Sequence, residues 1–290
     1  MVSCTKRSGD DEDEVVPTPE EQAAAVANSE SSDPGSSSSE NSEAGSSSSE
    51  NPQQGNSSSD DSKGGNGSSG GAGTAQKIDQ TVADSEDAKY FALDKSHSTT
   101  SVMYSDLSSG GGICELDGYC EKYNYYCAAI NTTDYKNGLM AGAYLKVTGP
   151  KGTIGVIVVN TVPGESGVLS LDRTALEKIA DINDIGSVSW KVAALPNNDP
   201  VQFKYKEGSS EYWCDIQVRN HRYPVKKLEV KINGEYVELE KQNNNYFRAE
   251  HGLGEGSYTI RLTDIYGHVI EEVVPLKLGE IVTGKNNFKD

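Results

Sequence analysis

Between Val201 and Leu278 the chain alternates apolar and polar residues in short runs broken by turn signals, a pattern that fits an all-β domain and little else. Leu228, Val230 and Ile232 alternate along one strand, Asn233-Gly234 makes a two-residue hairpin turn, and Tyr236 to Leu239 return. Tyr258, Ile260 and Leu262 mark a further strand, and Val269 to Val274 another after the Tyr266-Gly267 turn. Six or seven short strands in about 80 residues predict a small sandwich of immunoglobulin-like type.

Upstream, the pattern is mostly β with one helix. Ala143 to Val147 run into the turn Gly149-Pro150-Lys151-Gly152, and the apolar run Ile154 to Val159 reads as a strand buried on both faces. Arg173 to about Asp181 reads as a helix, with Asp172 at the N-cap and Ala175, Leu176, Ile179 and Ala180 as its apolar stripe. Val188 to Ala193 is a further strand. Pro196-Asn197-Asn198-Asp199-Pro200 is a natural junction, dividing residues 86–196 from a second domain at 197–279 and a short tail at 280–290.

Residues 1–85 are of another kind. Gly-Ser-Ser-Ser-Ser-Glu-Asn occurs twice, at 35–41 and 45–51, and Ser/Gly-rich sequence follows. Such a stretch lacks the apolar surface to offset the entropy of ordering it, so a flexible spacer is expected. Residues 1–76 hold 14 acidic and 3 basic residues, hence 11 of the 18 net negative charges. The rest is only mildly acidic, which argues against nucleic acid as a partner. No apolar run reaches the ~18 residues of a membrane span. Cys114, Cys120 and Cys127 cluster without zinc-ligand spacing, so a disulfide is expected rather than a metal, and no cofactor is implied. The pairing among these three and Cys214 stays open, the simplest case being one bridge within the cluster and an inert, inward-facing Cys214. Met1-Val2-Ser3-Cys4 resembles the end of a bacterial lipoprotein signal. Cys4 is therefore a candidate lipid anchor, and an extracellular monomer, secreted or held at the cell surface, is expected.

One strand carries the functional signal. Past the Glu207-Gly208-Ser209-Ser210 turn come Tyr212-Trp213, then alternation that puts Cys214, Ile216 and Val218 on one face and Trp213, Asp215, Gln217 and Arg219 on the other. An indole sharing a face with Asp, Gln and Arg is expected to meet solvent and a ligand. Strict alternation turns Tyr212 inward, so core packing is the alternative to its exposure.

Lys206 to Val225 closely resembles the second domain of bacterial expansins, where an EGSS turn, an aromatic pair and IQVRNHxYPV follow one another. Ser109-Gly110-Gly111-Gly112, Ala141 to Gly152 and Gly167-Val168-Leu169-Ser170-Leu171-Asp172 resemble the family's first domain less tightly. The resemblance covers about residues 95–280. It implies a six-stranded double-psi β-barrel followed by an immunoglobulin-like carbohydrate-binding module, and a protein that loosens plant cell walls without hydrolysis.

Residue by residue, the resemblance puts Tyr212 and Trp213 on a platform that stacks on the C–H faces of sugars. Lys206 would hydrogen-bond sugar hydroxyls. Asn244 stands at the third platform aromatic, a loss that Tyr246 could make good. Arg219 and His221 are expected to fix the turn before Pro224. In the barrel groove Ser170 replaces the acid that wall loosening needs, Asn160 the second aspartate, Val162 a tyrosine, and Met103 and Ser105 two threonines. Asp172 is the candidate substitute acid, with helix capping as its simpler role.

The expected protein therefore binds cellulose or a related β-glucan, with weakened loosening activity and no hydrolysis. The alternatives are wall loosening through Asp172, a glycoside hydrolase or lytic transglycosylase using Asp172, and a cell-surface adhesin for cellulose.

Overall fold

The computed structural model describes residues 76–107 and 112–289. Cys4, the two heptapeptide copies and Ser109 to Gly111 lie outside them. Residues 76–85, grouped by composition with the spacer, are folded. They form β1 (Lys77–Ile78) and α1 (Gln80–Ala83), followed by α2 (Glu86–Tyr90). Asp79 caps α1 through the Thr81 and Val82 amides, and Ser85 caps α2 through that of Ala88. This segment crosses from one domain to the other. Asp79 and Asp87 pair with Lys227 and Lys226 of the second domain, and Phe91 is fully buried in the core of the first.

The first domain comprises β2 (His97–Ser98), β3 (Ser101–Tyr104), α3 (Tyr119–Tyr123), β4 (Tyr126–Asn131), α4 (Thr132–Tyr135), β5 (Tyr144–Gly149), β6 (Gly152–Val162), β7 (Val168–Leu171), α5 (Arg173–Ile179) and β8 (Ser189–Val192). Six strands and the two-residue β2 form one curled sheet in the order β2-β8-β5-β6-β4-β7-β3. β3 runs parallel to β7 and β4 to β6, the remaining pairs being antiparallel. This is the barrel the resemblance implied. Val156 to Val159 are buried without alternation, as a strand covered on both faces requires.

The second domain follows as β9 (Gln202–Tyr205), β10 (Cys214–Arg219), β11 (Val225–Ile232), β12 (Glu235–Glu238), β13 (Glu240–Lys241), β14 (Tyr246–Ala249), β15 (Ser257–Asp264), β16 (His268–Pro275) and β17 (Ile281–Thr283). Two five-stranded sheets, β1-β16-β15-β11-β12 and β13-β14-β10-β9-β17, enclose a core that includes Phe203, Tyr205, Ile216, Phe247 and Leu262. The sandwich thus has more strands than the alternation predicted: both ends of the described chain join it, and Glu240–Lys241 adds a further two-residue strand. Residues 280–289 pack onto the sandwich: β17 pairs with β9 and Phe288 is buried. The buried Glu272 carboxylate explains the docking, since the amides of Lys285 and Asn286 are its donors.

Cys120 and Cys127 form a disulfide that clips α3 to β4. Cys114 and Cys214 are buried free thiols, and burial pushes both up to about 12, so neither is a nucleophile near neutral pH.

Candidate functional site

The turn from Lys206 to Trp213 is built to project a side chain. Gly208 takes φ +83°, and the Ser209 amide donates to the Lys206 carbonyl (3.0 Å). Buried Ser209 accepts from the Asp215 amide through Oγ, while Ser210 Oγ accepts from the Tyr212 amide. Tyr212 is thereby pushed outward and is 76% exposed, the most exposed large apolar side chain described. Trp213 is half-buried. Arg248 lies 5.4 Å from its ring centroid and is itself held by two 3.0 Å hydrogen bonds to the fully buried Asp215 carboxylate. The result is one free ring beside one braced ring at the tip of a sheet.

The polar face of β10 does not meet water along its length. Asp215, Gln217 and Arg219 are all buried, and Cys114 and Glu115, between β3 and α3, pack over the far half of that face. Gln217 Nε2 donates to the Cys114 carbonyl (2.9 Å) and Arg219 to the Glu115 carbonyl (2.7 Å). His221 packs at the same seam: a Cβ on Gly142, which sits at φ +72°, would fall 2.9 Å from its Nε2. Arg219 and His221 therefore contact the barrel rather than only shaping a turn. Tyr246 must be corrected as a platform residue. It is fully buried opposite Gln217, with Lys206 Nζ 4.7 Å from its ring centroid, and offers no free face to a sugar. Lys206 is itself paired with Glu115 at 2.5 Å.

In the barrel, Ser170 is buried and exchanges a 2.8 Å hydrogen bond with Ser105. Asn160 Oδ1 accepts from the Ile113 and Thr161 amides. Asp172 occupies the residue before α5, but its side chain does not cap that helix. Its oxygens accept instead from the amides of Leu107 (2.8 Å) and Cys127 (3.3 Å), tying the ends of β3 and β4 to β7. Asp172 and Thr174 also line two adjoining depressions, one with Tyr104, Ser105 and Arg173, the other with Glu121, Tyr125 and Tyr126. Among the described residues no group of three His, Cys, Asp or Glu side chains forms a metal site.

The disulfide closes the loop that bears Tyr125 and Tyr126, and tyrosines of this element also reach the sandwich. Tyr119 donates to Asn220, Tyr123 bonds with Gln202, and Asn197 donates to Tyr125. Replacing both Cys120 and Cys127 by Ala should cost about 2–3 kcal/mol, the chain-entropy value for so short a loop. Urea unfolding reads this directly, and an unchanged midpoint would count against the bridge.

No protein-family model matches the chain. It is 40% identical over 199 residues to expansin-YoaJ of Bacillus subtilis (strain 168), the match covering 64% of this chain and 85% of that protein. It is 23% identical over 188 residues to expansin-like protein 1 of Dictyostelium discoideum, covering 61% of this chain and 65% of that one. Among solved structures it resembles the expansin of Clavibacter michiganensis, both without ligand and as a mutant in complex with cellohexaose. In each case the TM-score is 0.61 at 26% identity, covering 68% of this chain and 99% of the other.

Proposed function

The chain belongs to the expansin family of bacterial type, and from that premise we propose that it binds cellulose or a related cell-wall β-glucan outside the cell, without hydrolysing it. The observation that carries the reading is the exposed Tyr212 beside the Arg248-braced Trp213. An extended glucan presents flat C–H faces, and stacking on such rings removes apolar surface from water on both partners. The complex of the Clavibacter expansin with cellohexaose supports the same ligand class here.

Chemistry in the barrel has less support. Most glycoside hydrolases cleave with two carboxylates flanking the bond. Ser170 and Asn160 supply none, and both oxygens of Asp172 already accept backbone amides. Wall loosening is accordingly weak. The polar segment before residue 76 acts as a spacer, with Cys4 as its lipid attachment.

Adsorption to microcrystalline cellulose tests the binding reading, and a parent protein that stays in the supernatant ends it. Creep of isolated walls tests the acid: Asp172→Asn should leave whatever creep the parent supports unchanged. A drop at an unchanged melting temperature would restore Asp172 as the working group, since Asn keeps only one of the two oxygens that hold the Leu107 and Cys127 amides. A glycan-cleaving enzyme is the second reading, because Glu121 lines one depression together with Asp172. Mass spectrometry of the supernatant should find no soluble sugar or anhydro-sugar, and either product would favour cleavage.

A further inference from the structure

We propose that Glu115, a barrel residue, completes the binding surface of the sandwich, and that the sugar next to Trp213 on the barrel side is held there by hydrogen bonds instead of stacking. The inference rests on the platform reading above.

The register places the groups. Side chains two apart on a strand share a face and stand roughly 6–7 Å apart, so Trp213 is followed on its face by Asp215 and then Gln217. Arg248 pairs with Asp215 on one side, and on the other the Lys206 amide donates to the Asp215 carbonyl (3.0 Å). Glu115 reaches into this row from the barrel. Its Oε1 accepts from Lys206 Nζ at 2.5 Å and from Asn244 Nδ2 at 3.3 Å, above the buried ring of Tyr246. A glucan running from Trp213 toward the barrel meets this charged row first.

The chemistry suits a sugar. The Glu115 and Lys206 side chains keep 36% and 28% of their surface exposed. A carboxylate accepts up to about four hydrogen bonds and an ammonium donates three, so the pair retains capacity after its mutual contact. An acceptor and a donor side by side match neighbouring hydroxyls, each of which both donates and accepts. Lys206, Arg248 and Arg219 are balanced by Glu115, Asp215 and Asp117, the last acting on Arg219, so the row carries no net charge and favours a neutral glycan over an acidic one.

The backbone is a separate indication. Glu115 sits at φ +49°, where Asn holds five of the seven non-glycine positions described. It is kept there by hydrogen bonds from Arg219 to its carbonyl and from its amide to the Gly112 carbonyl (2.9 Å). Residues held in this region by their surroundings cluster at ligand contacts.

The test is calorimetric titration of the parent, Glu115→Gln and Lys206→Met with cellohexaose and with a galacturonate hexasaccharide, alongside melting temperatures. Glu115→Gln should weaken cellohexaose binding about 5- to 10-fold, the difference between a hydrogen bond to a charged acceptor and one to a neutral acceptor. It should also shift the ratio of the two affinities at least as far toward the acidic sugar, because the row becomes positive. Lys206→Met should weaken cellohexaose to a similar degree and shift the ratio the other way. Variants that melt lower but keep both affinities within 2-fold of the parent would make the pair an interdomain clamp only and overturn the inference, leaving the platform intact. A parent that binds neither cellohexaose nor cellulose removes the platform reading and this inference together.

Discussion

Tyr212→Ala and Trp213→Ala should each reduce adsorption to microcrystalline cellulose by roughly 30-fold, and the double variant should not adsorb measurably. One ring face covers about a third to a half of the 150–250 Å² that an aromatic side chain can bury. At about 25 cal/mol per Å², that face is worth about 2 kcal/mol on the protein side alone. Tyr212 has its ring free, while Trp213 is supported from beneath by Arg248. Losing Tyr212 therefore removes area only. Losing Trp213 also uncovers Arg248, which keeps its two bonds to Asp215, so the fold should be little affected. Adsorption isotherms with matched thermal melts measure both effects. If both single variants adsorb like the parent while melting normally, the glucan binds elsewhere.

The same geometry limits how far stacking extends. With Tyr246 under Lys206 and Asn244 bonded to Glu115, no third ring among the described residues continues the line toward the barrel. On the proposed reading, affinity depends on two rings and a polar row. On the same reading the barrel contributes through its contact with β10 more than through its own groove, where Ser105 and Ser170 satisfy each other.

What could be read in advance followed from local rules. Period-two alternation and turn residues located β10, β11 and their hairpins, and the run Ile154 to Val159 announced a doubly covered strand. The turn before Tyr212 was legible because glycine and serine have few other reasons to stand in that order. The polar face of β10 was misleading for a physical reason. Alternation separates apolar from polar surroundings, and a polar interface between domains satisfies Gln217 and Arg219 as water does. Asp172 looked like a cap because of its position, yet the amides it binds belong to Leu107 and Cys127, distant in sequence. Glu115 carried no local signal, since its partners Lys206 and Asn244 arrive from another domain. Docking of residues 76–85 and 280–288 was hidden similarly, because their partners are a sheet edge and a buried carboxylate.

Acid should weaken the fold through His221, and the window follows from the sign of its shift. Burial first, and the charge of Lys241 second, lower His221 to about 4, against an ordinary 6.5. Above pH 6.5 the imidazole is neutral in folded and unfolded chains and costs nothing. Between about pH 6.5 and 4 the unfolded chain takes up a proton that the folded seam refuses, so stability falls as pH falls. The loss approaches about 3 kcal/mol near pH 4 and grows no further, since both states are then protonated. Lys241 does not confuse this window. Its amine is lowered by burial to about 7, so its penalty builds from its ordinary 10.5 down to about 7 and changes little below that. Asp79, lowered to about 2 chiefly by its Thr81 hydrogen bond, contributes stability that is lost only between about 3.8 and 2. Urea unfolding at pH 7 and pH 4.5 should therefore show a fall in the parent that His221→Gln reduces by about 2–3 kcal/mol, the part left to His97, which burial also lowers, persisting in both. Because the ring packs against Gly142 of the barrel, the acid-loosened element should be the interdomain seam, and amide exchange should rise first around residues 112–117 and 138–143. Parallel losses in parent and variant would assign the acid sensitivity to another group.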